Sequence, residues 1–226
     1  MNRVLAFMIV TVCTCLSGVN NVSPSRAEAE EGFTPLFDGK TLNGWEAYTE
    51  PGENVSIEDS DFIVRNSEIY CLGKEHSYWL KAPGVFGDFI LRLEYKVAKG
   101  SNSGIFLRVP GKEWPAYQGF EVQVLDDYGQ PPTAQTSGAV YDVLTPMRNM
   151  SRPPGEWNDV EITLRGLNIV VVWNGFKIID TDFSQLTEPI GKWKMAYKDI
   201  PLSGGFGVQN HGGEVWYRNI QIKKLD

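Results

Sequence analysis

An all-β, antiparallel sandwich is the fold class the sequence predicts. Two observations carry the sandwich. Roughly a dozen short strand-like runs are separated by turn residues, and no helix-length periodic stretch stands between them. A doubly wound α/β sheet would need helical crossovers, which the chain does not offer. A third observation is alternation: in FILRLEYKV, Phe89, Leu91, Leu93, Tyr95 and Val97 point one way and Arg92, Glu94 and Lys96 the other. A period of two is the mark of a half-buried strand.

Taken in order, residues 1–27 have a basic start at Arg3, an uncharged apolar run, and Ser25-Arg26-Ala27 at its end, which reads as a secretory signal. Export to the periplasm or the extracellular space is the expectation. Cys13 and Cys15 lack the small preceding residues of a lipoprotein signal, so a lipid anchor is the weaker alternative. Residues 28–32 form an acidic linker, and 33–226 form one domain. With cleavage after Ala27 about 200 residues remain, enough for a sizeable single core. Cys71 is then the last cysteine, so the fold stands without an internal disulfide or a cysteine-rich zinc site, and a buried, inert thiol is expected there. The net charge of −7, with no basic stretch, argues against nucleic acid as a partner. Later apolar segments are too short for a membrane span.

Within the domain, Asp38-Gly39 and Asn43-Gly44 punctuate Phe33, Leu36, Phe37, Leu42 and Trp45 with tight turns. Phe62–Arg65 and Glu68–Cys71 flank Asn66-Ser67 as a hairpin, and a short strand covers Tyr78–Lys81. Gly104–Val109 and Gly119–Asp126 are strands joined by a loop with Trp114 and Tyr117. Gly138–Leu144 reads as another strand, with Tyr141 and Asp142 on opposite faces. Trp157–Arg165 and Ile169–Trp173 pair across Gly166–Asn168, and Asn174-Gly175 is the strongest hairpin signal. Residues 183–202 are irregular. Gly205–Gln209 and Glu214–Leu225 close the chain, with a bulge expected near Arg218 where alternation breaks. Trp45, Trp157 and Trp173 are assigned to the core or to hairpin packing.

The stretch SNSGIFLRVPGKEWPAYQGFEVQVLDD holds the candidate site. Phe120, Val122 and Val124 take one face of the second strand, and Glu121 and Gln123 the other, roughly 7 Å apart. Arg108 is expected on the polar face of the first strand. Arg, Glu and Gln beside Trp and Tyr form the inventory of a sugar site; the same residues also suit an ordinary solvated sheet face.

The motifs FTPLFDGKTLNGW, NSGIFLR, GFEVQVLDD, SGAVYDV, GEWNDVEIT, WNG and GFGVQNHGGEVWYRNIQIKKL, in that order from Phe33 to Leu225, resemble the 3-keto-disaccharide hydrolase domain family. The resemblance implies an antiparallel jelly-roll β-sandwich of the concanavalin A-like lectin and glucanase type whose concave sheet binds carbohydrate, and cleavage of glycosides already oxidised at C3. A C3 ketone acidifies the C2 proton, so a base can remove it and the C1 substituent can leave by elimination; direct hydrolysis stays open beside it. Such a route needs a base and something to stabilise the enolate oxygen. Glu121, His211 and Arg108 are the catalytic candidates. Gln123, Trp114, Tyr117, Tyr141 and Gln209 are the substrate-binding candidates. A divalent metal held by Glu121 and His211 with Asp126 or Asp142 is an open option, as is calcium on Asp126 and Asp127. The expected partner is an oxidised saccharide or glycoside. A non-catalytic carbohydrate-binding module on the same sandwich is the competing reading.

Overall fold

The computed structural model describes residues 32–74 and 76–225, so the signal-like segment lies outside the described residues. Two antiparallel sheets face each other. From edge to edge the first runs β12 (Phe176–Asp182), β11 (Asn168–Trp173), β10 (Asn158–Arg165), β7 (Phe89–Val97), β14 (Val215–Lys224), β5 (Glu68–Cys71) and β4 (Phe62–Arg65), with β1 (Thr34–Pro35) paired onto β14. The second runs β3 (Asn54–Val55), β2 (Glu46–Tyr48), β6 (Trp79–Lys81), β13 (Gly205–Gln209), β8 (Asn102–Val109) and β9 (Phe120–Leu125). One helical turn, α1 (Pro115–Gln118), joins the last two strands of that sheet. No described helix is long and apolar enough to cross a membrane.

Alternation places the core. Leu91, Leu93, Tyr95 and Val97 of β7 face Ile105 and Leu107 of β8 and Phe120, Val122 and Val124 of β9 in one continuous apolar layer. Each such side chain, fully buried, contributes about 1.5–3 kcal/mol. The hairpin signals hold: Asn66 and Ser67 take φ of 55° and 62°, and Asn174 and Gly175 take 50° and 82°, the left-handed pair of a two-residue turn that matches strand twist. Cys71 is fully buried, and burial pushes its thiol up to about 12.

Three expectations need correction. Residues 138–144 are a string of turns, not a strand, because Asp142 adopts φ of 63° and breaks the extension. Residues 138–141 still bond to the free edge of β9: Gly138 N–H donates to Gln123 O (2.9 Å) and Tyr141 N–H to Glu121 O (2.9 Å). Trp157 is not core; it lies half-buried on the outer face, with the Arg218 guanidinium 3.9 Å and the Lys96 ammonium 4.6 Å from its ring centre.

The third correction is a bulge in β8. Gly205 pairs with Val109 and Gly207 with Phe106, so one extra residue sits on β8, and Arg108 takes φ of 53°. An extra residue shifts the parity of everything beyond it. Val109 therefore shares the outer face with Phe106, and Arg108 turns away from it. The bulge expected in the last strand is present, as a register shift between Arg218 and Gln221.

Candidate functional site

The outer face of the second sheet carries two unlike halves. On one half Trp79 packs against Tyr48 (ring centres 5.8 Å apart) and edge-on to Phe106 (5.9 Å), closing the surface with aromatic rings. The other half is polar: Glu121 and Gln123 from β9, Asn102 from β8, and Gln209 from β13, whose Nε2 donates to the Tyr78 hydroxyl at 2.8 Å.

These groups line a cleft of two adjoining lobes. The smaller, about 80 Å³, is bounded by Glu121, Gln123, Asn102, Tyr141, Lys192 and Gln209. The larger, about 390 Å³, is bounded by Thr49, Lys74, His76, Ser77 and Asn210. Glu50, Tyr78 and His211 belong to both walls. Bare backbone forms part of the larger lobe: Gly73 has φ of +69°, and a Cβ on it would lie 2.5 Å from the carbonyl of Gly213.

Glu121 is the unusual group. It is 7% exposed and has no hydrogen-bond partner among the described residues. Its carboxyl rests directly over Gly104 on the neighbouring strand, where a Cβ would come within 2.1 Å of Oε1. Burial pushes its pKa up to about 8, with the Lys192 ammonium pulling the other way. A buried carboxyl poised near neutrality is a common property of general acids and bases.

The sequence-predicted residues separate as follows. Glu121, His211, Gln123, Tyr141 and Gln209 come together on this cleft. Gln123 is a wall rather than a free hand, since its amide bonds Gln135 O (3.3 Å) and Val124 N–H (3.1 Å). Tyr117 stands at the rim, 48% exposed, edge-on to the lobe-lining Trp193 at 5.5 Å. Trp114 is 44% exposed at the left-handed N-cap of α1 and does not line either lobe.

Arg108 is not at the site. The bulge turns its fully buried side chain toward the first sheet, where it donates to Gly166 O (2.6 Å) and Gly87 O (3.2 Å) and pairs with Asp88 (3.4 Å). It ties loops together and cannot meet Glu121. The proposed metal set is not assembled either. Asp126 accepts from Gly100 N–H (2.8 Å), Asp142 accepts from Gln135 (3.4 Å), and Asp127 holds Ser137 and Ser151, so each carboxylate serves a turn or loop. Among the described residues no group of three or more His, Cys, Asp or Glu side chains could hold a metal ion. The ligand set expected from the sequence, Glu121 and His211 with Asp126 or Asp142, is therefore not brought together among the described residues.

Sequence reasoning missed Glu50, Tyr78, Asn102, Lys192 and Trp193. Asn102 was legible in principle, two residues before Gly104 on the same strand face. Lys192 and Trp193 lie in the irregular segment, where no periodicity says which way a side chain points.

Comparison with known proteins gives the family. The family model described as the 3-keto-alpha-glucoside-1,2-lyase-like domain matches residues 32–223. A 3-keto-disaccharide hydrolase of Bacteroides thetaiotaomicron is 30% identical, over 87% of this chain and 79% of its own length. A candidate glycosyl hydrolase from Parabacteroides distasonis superposes with a TM-score of 0.72 at 26% identity, covering 85% of this chain and 99% of that one. A Bacillus subtilis protein with a galectin-like fold shares the sandwich alone, with a TM-score of 0.52 at 12% identity, over 85% and 94% of the two chains. With 192 consecutive residues, 32–223, matched to one family model and the fold in agreement, the chain belongs to the 3-keto-alpha-glucoside-1,2-lyase-like family.

Proposed function

We propose that this carbohydrate-active protein is an exported enzyme that cleaves glycosides bearing a ketone at C3, with Glu121 as the base that takes the C2 proton. One observation carries the reading: a buried carboxyl, with no hydrogen-bond partner among the described residues and a pKa raised to about 8, faces a polar cleft. Such a group has no structural use for its charge, and desolvation makes its carboxylate a stronger base than one in water. In the proposed step the C2–H electrons form the C1–C2 double bond as the C1–O bond breaks, and the proton rests on Glu121. Negative charge gathers on the C3 oxygen in passing. Lys192, on the same lobe, is the cation placed to face it, a role expected from sequence for Arg108. Water then adds to the enone to give the free keto sugar.

Glu50 supports a second reading. It is another carboxylate on the same lobe, and ordinary glycoside hydrolysis uses two. The two readings and the binding-module alternative separate in one assay: p-nitrophenol release from a 3-keto-glucoside and from its unoxidised parent. Release from the keto substrate alone, slowed by deuterium at C2 and lost in Glu121→Gln, is the expected result. Release from the parent glucoside would assign hydrolysis to Glu50 and Glu121. No release from either, with retained binding, would make the domain a carbohydrate-binding module.

A further inference from the structure

The larger lobe holds a second arrangement that the C2-proton step does not use. Asp61, immediately before β4, has a fully buried side chain. Its Oδ2 accepts from the backbone N–H of His76 (2.9 Å) and Ser77 (3.0 Å) and from Asn210 Nδ2 (2.8 Å). Its Oδ1 is also buried, accepts no hydrogen bond from the described residues, and faces His76 Nδ1 at 3.4 Å. Among the described residues His76 is the basic side chain paired with this carboxylate. The imidazole itself is 61% exposed and lines the larger lobe, and its other nitrogen, Nε2, has no hydrogen-bond partner among the described residues.

A buried carboxylate behind an exposed imidazole does a definite job. It holds the ring with Nδ1 turned toward the carboxylate and leaves Nε2 as the working nitrogen. Oδ2 takes all three donors, and Oδ1 is left toward the ring. The pair is also rigidly tied to the site. Asn210 binds Asp61, Ser77 O (2.8 Å) and Lys74 O, and the next residue in the chain, His211, sits on the wall between the lobes. The charged and titratable groups sharing this lobe with His76 are Lys74, Glu50, Tyr78 and His211.

We infer that the larger lobe holds the leaving group of the glycoside, and that His76, positioned by Asp61, gives its proton to the departing oxygen. The inference rests on the proposed elimination and assigns its second half. As the C1–O bond breaks, its electron pair takes the Nε2 proton, imidazolium becomes imidazole, and an alcohol leaves; the C2 proton remains on Glu121. Charge and atoms balance without a further reactant. A lobe of about 390 Å³ beside the smaller one suits a leaving group as large as a second sugar.

Leaving-group dependence tests this. p-Nitrophenolate departs without help, whereas an alkyl or sugar alcohol needs a proton. His76→Gln, at an exposed position, should lose about 10²–10⁴-fold in kcat on a methyl or disaccharide 3-keto substrate, the range for a general acid. On the p-nitrophenyl 3-keto-glucoside its loss should stay under about tenfold, leaving the substrate classes at least tenfold apart. Asp61→Asn should reproduce the same split more weakly, and thermal melts of both variants report whether the fold persists; should Asp61→Asn not fold, His76→Gln alone decides. Equal losses on both substrates, or none, would overturn the inference while leaving the Glu121 step intact. Failure of the wild type on every 3-keto substrate would remove the underlying reading and this one with it.

Discussion

Glu121→Gln should make the protein more stable, and the gain should depend on pH in a calculable way. In the unfolded chain a glutamate has its ordinary pKa near 4.5, and in the native cleft it is raised to about 8. A raised carboxyl pKa means the native state holds a proton that the unfolded chain has already released. Stability from this group is therefore full below about pH 4.5 and falls as pH rises toward 8, by about 1.4 kcal/mol per pH unit. The span of about 3.5 pH units amounts to about 5 kcal/mol by pH 9 and about 3 kcal/mol at pH 7. Glutamine keeps the shape and carries no charge to desolvate. At pH 7 the variant should melt about 6–12 °C above the wild type, taking 2–4 °C per kcal/mol for a domain of this size. Thermal melts or urea curves of both proteins at pH 4.5, 7 and 9 give the comparison. The pH-dependent part of their difference is what counts, since all other titrating groups are shared. A difference that stays flat from pH 4.5 to 9 would refute the claim that Glu121 is buried without a compensating partner.

Three other outcomes follow from particular contacts. Gly104→Ala places a methyl 2.1 Å from Glu121 Oε1; Gly104 has an ordinary negative-φ backbone and its obstacle is the tip of a flexible side chain, so stability should drop by only about 1–2 kcal/mol while turnover falls about 100-fold. Pairing it with Glu121→Ala should recover the stability loss in a double-mutant cycle. Arg108→Met removes a buried guanidinium from Gly166 O, Gly87 O and Asp88, so urea denaturation should show a loss of about 2–4 kcal/mol, with kcat of the folded enzyme unchanged. Cys71, fully buried with its thiol pushed up to about 12, should resist alkylation in the native protein at pH 8 and react on unfolding, as mass spectrometry would read directly.

How far the chain could be read before its structure was seen depends on whether local alternation survived. Where it did, in β7, β9, β10 and β14 up to Arg218, side-chain direction was legible, and Glu121 and Gln123 lie on the face that parity assigned to them. Where one residue was inserted, it was not. Arg108 sits two positions beyond Phe106, and simple counting puts both on the same face; the bulge opposite Phe206 reverses Arg108. Nothing in LRVPG announces that slip, because the partner strand sets it nearly 100 residues later. Asp142 misled in the same way, since GAVYDVL has strand composition and a left-handed backbone at one residue ends it. Asp61 and His76 lie 15 residues apart on either side of the β4–β5 hairpin, and only the folded hairpin brings them face to face. Histidine 211 was legible through its glycine neighbours, but its shared place between two lobes was not.

The meeting of Gly73 with Gly213 limits how the binding pocket can diversify. Where two main chains touch with no room for even a methyl group, the part of the wall formed by Gly73 cannot gain a side chain unless the backbone there first moves. On the proposed reading, changes in which aglycone is accepted would arise at the sides, at Thr49 and Lys74, whose side chains line the lobe. Exchanging those two positions between relatives should transfer preference for the departing group while leaving the keto-sugar end untouched.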